Sequence, residues 1–167
     1  MAVDDIRSTA EAAREAIDTA KHHAEAAMHE AEELAQDAVG RGWEGVARTV
    51  MAAQSALESV ASSLGSAHDA ADGATTIASE MTSQMSPHDI ADRAGAVIGQ
   101  HDQAISGIDV ANSSVGEAYS HAQQADADRL VAMISTVVDC IGTARQTVDA
   151  AKGSATTEQQ AAAGWGK

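Results

Sequence analysis

Two histidines on the first predicted helix, His22 and His29, form the grouping in this sequence that most resembles a metal site. They lie seven residues apart, with the acids Glu25, Glu32 and Glu33 around them. Imidazole nitrogens and carboxylate oxygens are common zinc ligands. Both histidines fall on the outer face of the helix, however, and the sequence lacks the Glu-x-x-His pairs of a di-metal helical bundle. We therefore predict no functional metal site and no bound cofactor.

The single cysteine, Cys140, is the candidate for a reactive thiol. It follows Asp139 on an apolar-flanked helix with no base nearby in sequence, so we interpret it as a small packing residue. A single cysteine also excludes a disulfide within the chain. The sequence contains neither a Gly-x-Ser-x-Gly turn nor a glycine-rich phosphate loop. We expect no enzymatic activity and no small-molecule substrate.

A third histidine, His101, occupies a position of core type that corresponds to Ile17 in the first half of the chain. We predict that it is partly buried. Two interpretations stay open for it. It is either a hydrogen-bonded histidine in the core or at a helix end, or a packing site that responds to pH, because histidine titrates near neutrality.

Helices must position these side chains, because apolar and alanine residues recur at alternating steps of three and four residues. We call each such row of residues a seam. The first seam predicts a helix over about 3–39, which Gly40, Gly42 and Gly45 interrupt. A second seam runs from 46 to 85 and stops before Pro87. In the second half the seams comprise residues 90, 94, 97, 101, 104, 108, 111, 115, 118 and 122, then 130, 134, 137, 141, 144, 148 and 151.

The seams of the second half repeat those of the first at an offset of 84 residues, so that Ile90 corresponds to Ile6 and Ile141 to Leu57. In both halves the spacing jumps by eight residues between two seams, which indicates a turn. We predict an all-α protein with alanine-rich heptad seams, either an antiparallel four-helix bundle or two packed helical hairpins, from an internal duplication. The predicted units are a first hairpin at 1–85, a second at 86–152 and a flexible tail at 153–167.

Turns are predicted near 40–45, 86–88 and 123–128, with Asp126 as the helix N-cap in the last of them. An alternative break near 113 is open, because Ser114 and Glu117 fit a capping box. The seam passes this point without interruption, which favours the later turn.

The charge of the chain limits its partners. The formal net charge is −15 at pH 7, with no basic cluster, which argues against nucleic acid and anionic membranes. No stretch approaches 18 apolar residues, so we predict no membrane span. The first residues lack the pattern of an ordinary signal peptide. We expect either a cytoplasmic protein or one that is exported without such a peptide.

The sequence Trp43-Glu44-Gly45 lies at the turn between two long predicted helices. In this it resembles the WxG helical-hairpin proteins of type VII (ESX) secretion, and the resemblance covers the first half of the chain. It implies that Trp43 and Gly45 are turn and partner-recognition residues. Two features depart from the family: the hairpin is doubled, and Tyr119 is followed four residues later by Gln123 where the family's secretion signal has an acid. The alternative for Trp43 is a hydrophobic plug at the end of the bundle.

Two classes of function therefore stay open. The first is a non-catalytic helical protein-interaction module, such as a WxG-like accessory or substrate of a type VII-like secretion system, with Trp43, Gly45 and Trp165 as partner-binding residues. The alternative is a structural or surface-coating protein, phasin-like or self-assembling. The partner is a protein or a second copy of the chain. The alanine-rich, acidic, aromatic-poor composition is typical of high-GC bacteria.

Overall fold

The computed structural model describes residues 3–165, which form four long α-helices and, within that range, no strand. Helix α1 spans Val3–Gly40, α2 spans Glu44–Ser79, α3 spans Pro87–Gln124 and α4 spans Asp128–Gly164. The predicted all-α, four-helix architecture is confirmed. Helix α3 is continuous through residue 113, so the alternative break at that point is wrong.

The helices form a square, antiparallel bundle. Helix α1 packs against α2 and α4, and α3 packs against the same two helices, whereas the diagonal pairs make no close backbone contact over residues 3–165. Because three short links join helices of similar length, the chain runs up, down, up and down. The two predicted hairpins thus correspond to α1 with α2 and α3 with α4.

The predicted seams are the buried stripes of the helices. Every seam position of α3 and α4 from 90 to 151 is buried. Three positions in the first half differ: Val46, Leu34 and Met85, the last of which is half-buried beyond the end of α2. Val46 is 38% exposed and Ala47 is buried in its place. Both residues lie one turn before the buried Val50, so spacing alone allows either of them to be the buried one. Similarly, Leu34 is half-buried and Ala35 is buried.

The two hairpins turn in the same way. In the first, Gly42 has φ +75° and the Trp43 N–H donates to the Ala38 carbonyl at 2.8 Å. In the second, Asp126 has φ 52° and the Ala127 N–H donates to the Ala122 carbonyl at 3.1 Å. This is a helix C-terminus closed by a left-handed residue and a 6→1 bond. The offset of 84 therefore extends to turn geometry, and Asp126 supplies the left-handed residue rather than the predicted N-cap.

The link between the hairpins is longer than predicted. Helix α2 ends at Ser79, and residues 80–86 form the link. Met81 in this link is fully buried, and its carbonyl accepts a hydrogen bond from Arg7 at 3.0 Å. The seam pattern continues through the link because this methionine fills the core without being helical. Ser86 caps α3 by accepting a hydrogen bond from the Asp89 N–H, and Pro87 occupies the first position of the helix.

The prediction of a flexible tail at 153–167 is wrong for most of its length. Residues 153–164 continue α4, and Ala155, Glu158 and Ala162 are buried at the spacing of the preceding seam. Glycine and threonine lower the intrinsic helix propensity of this segment. Packing of the periodic residues against the bundle outweighs that cost. Gly166 and Lys167 lie outside the described residues.

The buried hydrophobic residues separate into two clusters along the bundle axis. The main core contains the larger group and reaches the two hairpin turns. The small core lies at the opposite end, beside the 80–86 link. Its buried members are Val3, Ile6, Ala10, Ala74, Ala78, Met81, Ile90, Ala94, Val97, Ala155 and Ala162. Alanine makes up more than half of the buried hydrophobic residues in the described chain.

Close helix approach is most marked where α3 crosses α2. A Cβ atom on Gly107 would lie 2.8 Å from the Ser63 carbonyl oxygen, whereas a Cβ on Gly99 of the same helix would meet nothing within 4 Å. A methyl group at Gly107 would therefore force the two backbones apart.

We expect Gly107→Ala to lower the free energy of unfolding by about 1–3 kcal/mol, because overpacking costs that much in a rigid core. Gly99→Ala should raise it by about 0.5–1 kcal/mol, because alanine is the better helix former. Urea unfolding followed by circular dichroism measures both changes. Equal effects of the two substitutions would contradict the close α2–α3 contact.

Candidate protein-interaction surface at the first hairpin turn

Trp43 lies in the link between α1 and α2, and its side chain is largely in solvent. The residue is 53% exposed. The Arg41 guanidinium lies 5.1 Å from the ring centroid, at a distance suited to a cation–π contact. The alternative interpretation of Trp43 as a hydrophobic plug of the bundle end does not agree with this exposure. Gly45 follows in the first turn of α2, where a Cβ atom would meet nothing within 4 Å.

The second predicted binding residue, Trp165, is not part of the same site. It is 73% exposed and caps the C-terminus of α4, beside Pro87 and His88 at the start of α3. The first hairpin turn lies at the other end of the bundle. A helix of 36 residues separates the two ends by about 54 Å at 1.5 Å per residue. One compact partner surface therefore does not contact both tryptophans.

Three exposed aliphatic residues that were not predicted from the sequence lie close to Trp43 along the chain. Val39 is 60% exposed, Val46 38% and Met51 54%. We call Val39, Trp43, Val46 and Met51 the tip surface. These four residues lie within the last turn of α1, the link and the first two turns of α2. Seven large hydrophobic residues are exposed in the described chain, and four of them are in this segment.

The tip surface continues into a shallow groove between α1 and α2. Val39, Met51 and Ala35 form its apolar part, and three polar side chains complete it: Glu32, Gln36 and Gln54. Gln36 donates to the Glu32 carboxylate at 3.3 Å, which holds that acid at the edge of the groove.

The charges around the tip surface are mainly acidic. Asp37 and Arg41 neutralise one another through an ion pair of 2.9 Å. Glu32 and Glu44 are exposed acids on either side of the link, and Arg48 is the remaining exposed base in this segment. The groove thus combines an apolar floor with a negative edge.

The other candidate chemistry is dispersed. Nowhere in residues 3–165 do three or more histidine, cysteine or acidic side chains come together to hold a metal ion. His22 and His29 are exposed and contact different acids, Asp18 and Glu33. Cys140 is half-buried beside Ala16 in the α1–α4 groove. Burial, together with the Asp139 charge, raises the pKa of its thiol, which makes it a poorer nucleophile at neutral pH.

His101 is fully buried, at 0% exposure, and not partly buried as predicted. Among the described residues neither ring nitrogen has a hydrogen-bond partner, so the hydrogen-bonded interpretation is wrong. Burial lowers the pKa of His101 to about 4, and the neighbouring Asp102 carboxylate opposes this only in part. The sequence could not reveal this environment, because it depends on which residues of the other helices surround the ring.

Comparison with known proteins gives no match to a family model, to a curated protein or to a solved structure. Within the described chain, no helix combines the length and apolar character needed to cross a membrane.

We expect Trp43→Ala to leave helicity unchanged and to alter the free energy of unfolding by no more than about 0.5 kcal/mol, because the ring contributes little to the core. Leu57→Ala, at a fully buried seam position, should cost about 2–4 kcal/mol. Thermal unfolding of both variants provides the comparison. A loss of stability in the Trp43 variant as large as in the Leu57 variant would mean that the ring is a core residue.

Proposed function

We propose that this protein is a non-catalytic helical protein-interaction module that binds its partner through the tip surface. The observation that carries the proposal is the concentration of Val39, Trp43, Val46 and Met51 in solvent at one hairpin turn. Large apolar side chains are unfavourable in water, and where several are exposed in one region they commonly mark an interaction site. Tryptophan flanked by arginine is also typical of residues that dominate binding energy.

The groove supports a helical partner. Its floor lies between two antiparallel helices, a geometry into which an amphipathic helix can place its apolar face. Glu32 and Glu44 at the edges favour basic residues on the flanks of that helix. A second copy of this chain carries the same net charge of −15 and would be repelled at low ionic strength. We therefore expect a different protein with a basic, amphipathic helix.

The WxG resemblance gives this partner a biological setting. Trp43-Glu44-Gly45 lies at the turn between two long helices, as it does in proteins of type VII secretion. Gly45 has open space around it, so packing does not account for glycine at this position, and contact with a partner would. A role as an accessory or substrate of a type VII-like system is accordingly part of the proposal. Tyr119 adds nothing to it, because this residue is half-buried within α3.

One observation favours the alternative of a surface-coating protein. Alanine dominates the buried stripes, so each helix buries little apolar area per residue. Such a bundle can exchange helix–helix contacts for contacts with an apolar surface at low cost. Adsorption of this kind would use the seams of all four helices and would not depend on the tip surface.

A photo-crosslinking amino acid placed at Met51 tests the proposal in the native host. Val110 on α3 provides a matched control position, because it is 55% exposed whereas Met51 is 54% exposed. We expect one crosslinked protein that is specific to position 51 and is lost when Trp43→Ala is added. Its recovery should decrease at high salt, because exposed charges are then screened. Identical crosslinking at the two positions would contradict a partner site at the tip.

A further inference from the structure

His101 is a buried polar group whose presence the bundle does not explain. A neutral imidazole carries one hydrogen-bond donor and one acceptor. Within residues 3–165 both ring nitrogens are buried without a hydrogen-bond partner. The ring therefore loses its hydrogen bonds to water on folding and forms none within the protein to replace them. At the equivalent position in the first half the chain has Ile17, which is also fully buried. An aliphatic side chain therefore fits this kind of position.

The place of His101 along the bundle axis is informative, because it is where the hydrophobic core divides. On α3 the small core ends at Val97 and the main core begins at Ala104, with His101 between them. The division falls between alanines on each of the other helices. These pairs are Ala10 and Ala13 on α1, Ala71 and Ala74 on α2, and Ala151 and Ala155 on α4. His101 thus lies in a layer of small side chains that joins two separate clusters.

The charged groups at this level are on the outside of the bundle. Asp102 is paired with Lys152 of α4 at 2.6 Å, and Asp72 of α2 is paired with Arg14 of α1 at 3.3 Å. All four of these side chains are more than a third exposed. Each carboxylate is already engaged by a base, so a protonated His101 gains only a weak, screened attraction to Asp102.

Two further titratable groups lie nearby along the axis. His68 of α2 is partly exposed and approaches Asp18 at 3.9 Å, on the side of the main core. Glu158 of α4 is buried near the end of the bundle. Its neighbour Gln159 approaches the Ala91 carbonyl at 3.5 Å and would contact a Cβ atom on Gly95, which precedes His101 by about 9 Å of helix. Neither group is hydrogen-bonded to the ring of His101, and Asp102 is the charged group that acts on its pKa.

We infer that protonation of His101 in mild acid separates the helices at the small core, while the main core holds the four helices together at the hairpin turns. A positive charge without a buried counterion is costly in an apolar layer, and the cost is relieved when water reaches the ring. The small core is the weaker of the two clusters, because it has far fewer buried members than the main core. It is also the cluster that contains the long link and the free end of α4.

The direction of the pH dependence follows from the pKa of His101 in the closed bundle and in the opened, hydrated one. The pKa of His101 is about 4 in the closed bundle and returns to its ordinary value of 6.5 when the ring is hydrated. The closed state is therefore fully favoured above pH 6.5 and loses stability as the pH falls toward 4. Proton linkage increases the opening equilibrium about twentyfold between pH 7 and pH 5, and about 300-fold over the whole interval.

Hydrogen exchange measured by mass spectrometry at pH 7 and pH 5, corrected for intrinsic rates, tests this inference on the full chain. In the wild-type protein, acid should accelerate exchange within residues 3–10, 74–97 and 155–162 by about twentyfold, with main-core amides unchanged. In His101→Ile, which copies Ile17, the acid effect should disappear. His68→Gln is the matched control and should keep it.

A second variant and a direct titration keep the test decisive if His101→Ile packs poorly. His101→Gln is polar but does not titrate, so its small core should exchange at the same rate at both pH values. In the wild-type protein, histidine NMR signals should show one residue that titrates well below pH 6.5. The inference would be overturned if His101 titrated near 6.5, if the acid effect survived in both His101 variants, or if acid released the main core equally.

Discussion

The structure depends on how closely its helices approach one another, and alanine in the buried stripes sets that distance. More than half of the buried hydrophobic residues are alanine, and at Gly107 even a methyl group would meet the backbone of α2. Small side chains allow neighbouring antiparallel helices to stay in close contact along their length. The same choice limits the apolar area that each residue buries. Larger residues such as Leu57 and Ile141 therefore carry much of the hydrophobic stabilisation.

The heptad spacing of the sequence was sufficient to predict four helices and nearly all of their buried faces. In α3 and α4 every seam position from 90 to 151 is buried. The prediction failed where composition was given more weight than spacing: residues 153–164 look like a tail by content, although Ala155 and Ala162 continue the seam. At Val46 and Ala47 the spacing permitted both choices, and only the packed end of the bundle decides between them.

The candidate site was less predictable than the fold. Trp43 stands out because of its type and its position between glycines, but Val39 and Met51 each directly follow a seam residue and look ordinary in sequence. Their exposure depends on how α1 and α2 rotate toward their other neighbours. The environment of His101 is likewise a property of the assembled bundle. Spacing identified the position as core, whereas the missing hydrogen-bond partners depend on three other helices.

The repeated turn has a consequence for symmetry. Gly42 and Asp126 place two equivalent turns at the same end of the bundle, so the two hairpins are related by an approximate twofold axis along it. The tip surface has no counterpart on the second hairpin under that axis. Val39 corresponds to Gln123, Trp43 to Ala127 and Met51 to Ser135, while Val46 corresponds to the buried Leu130. The two turns of this pseudo-symmetric scaffold are thus alike in backbone and different in surface, because one of them exposes large apolar side chains where the other has smaller, polar or buried ones.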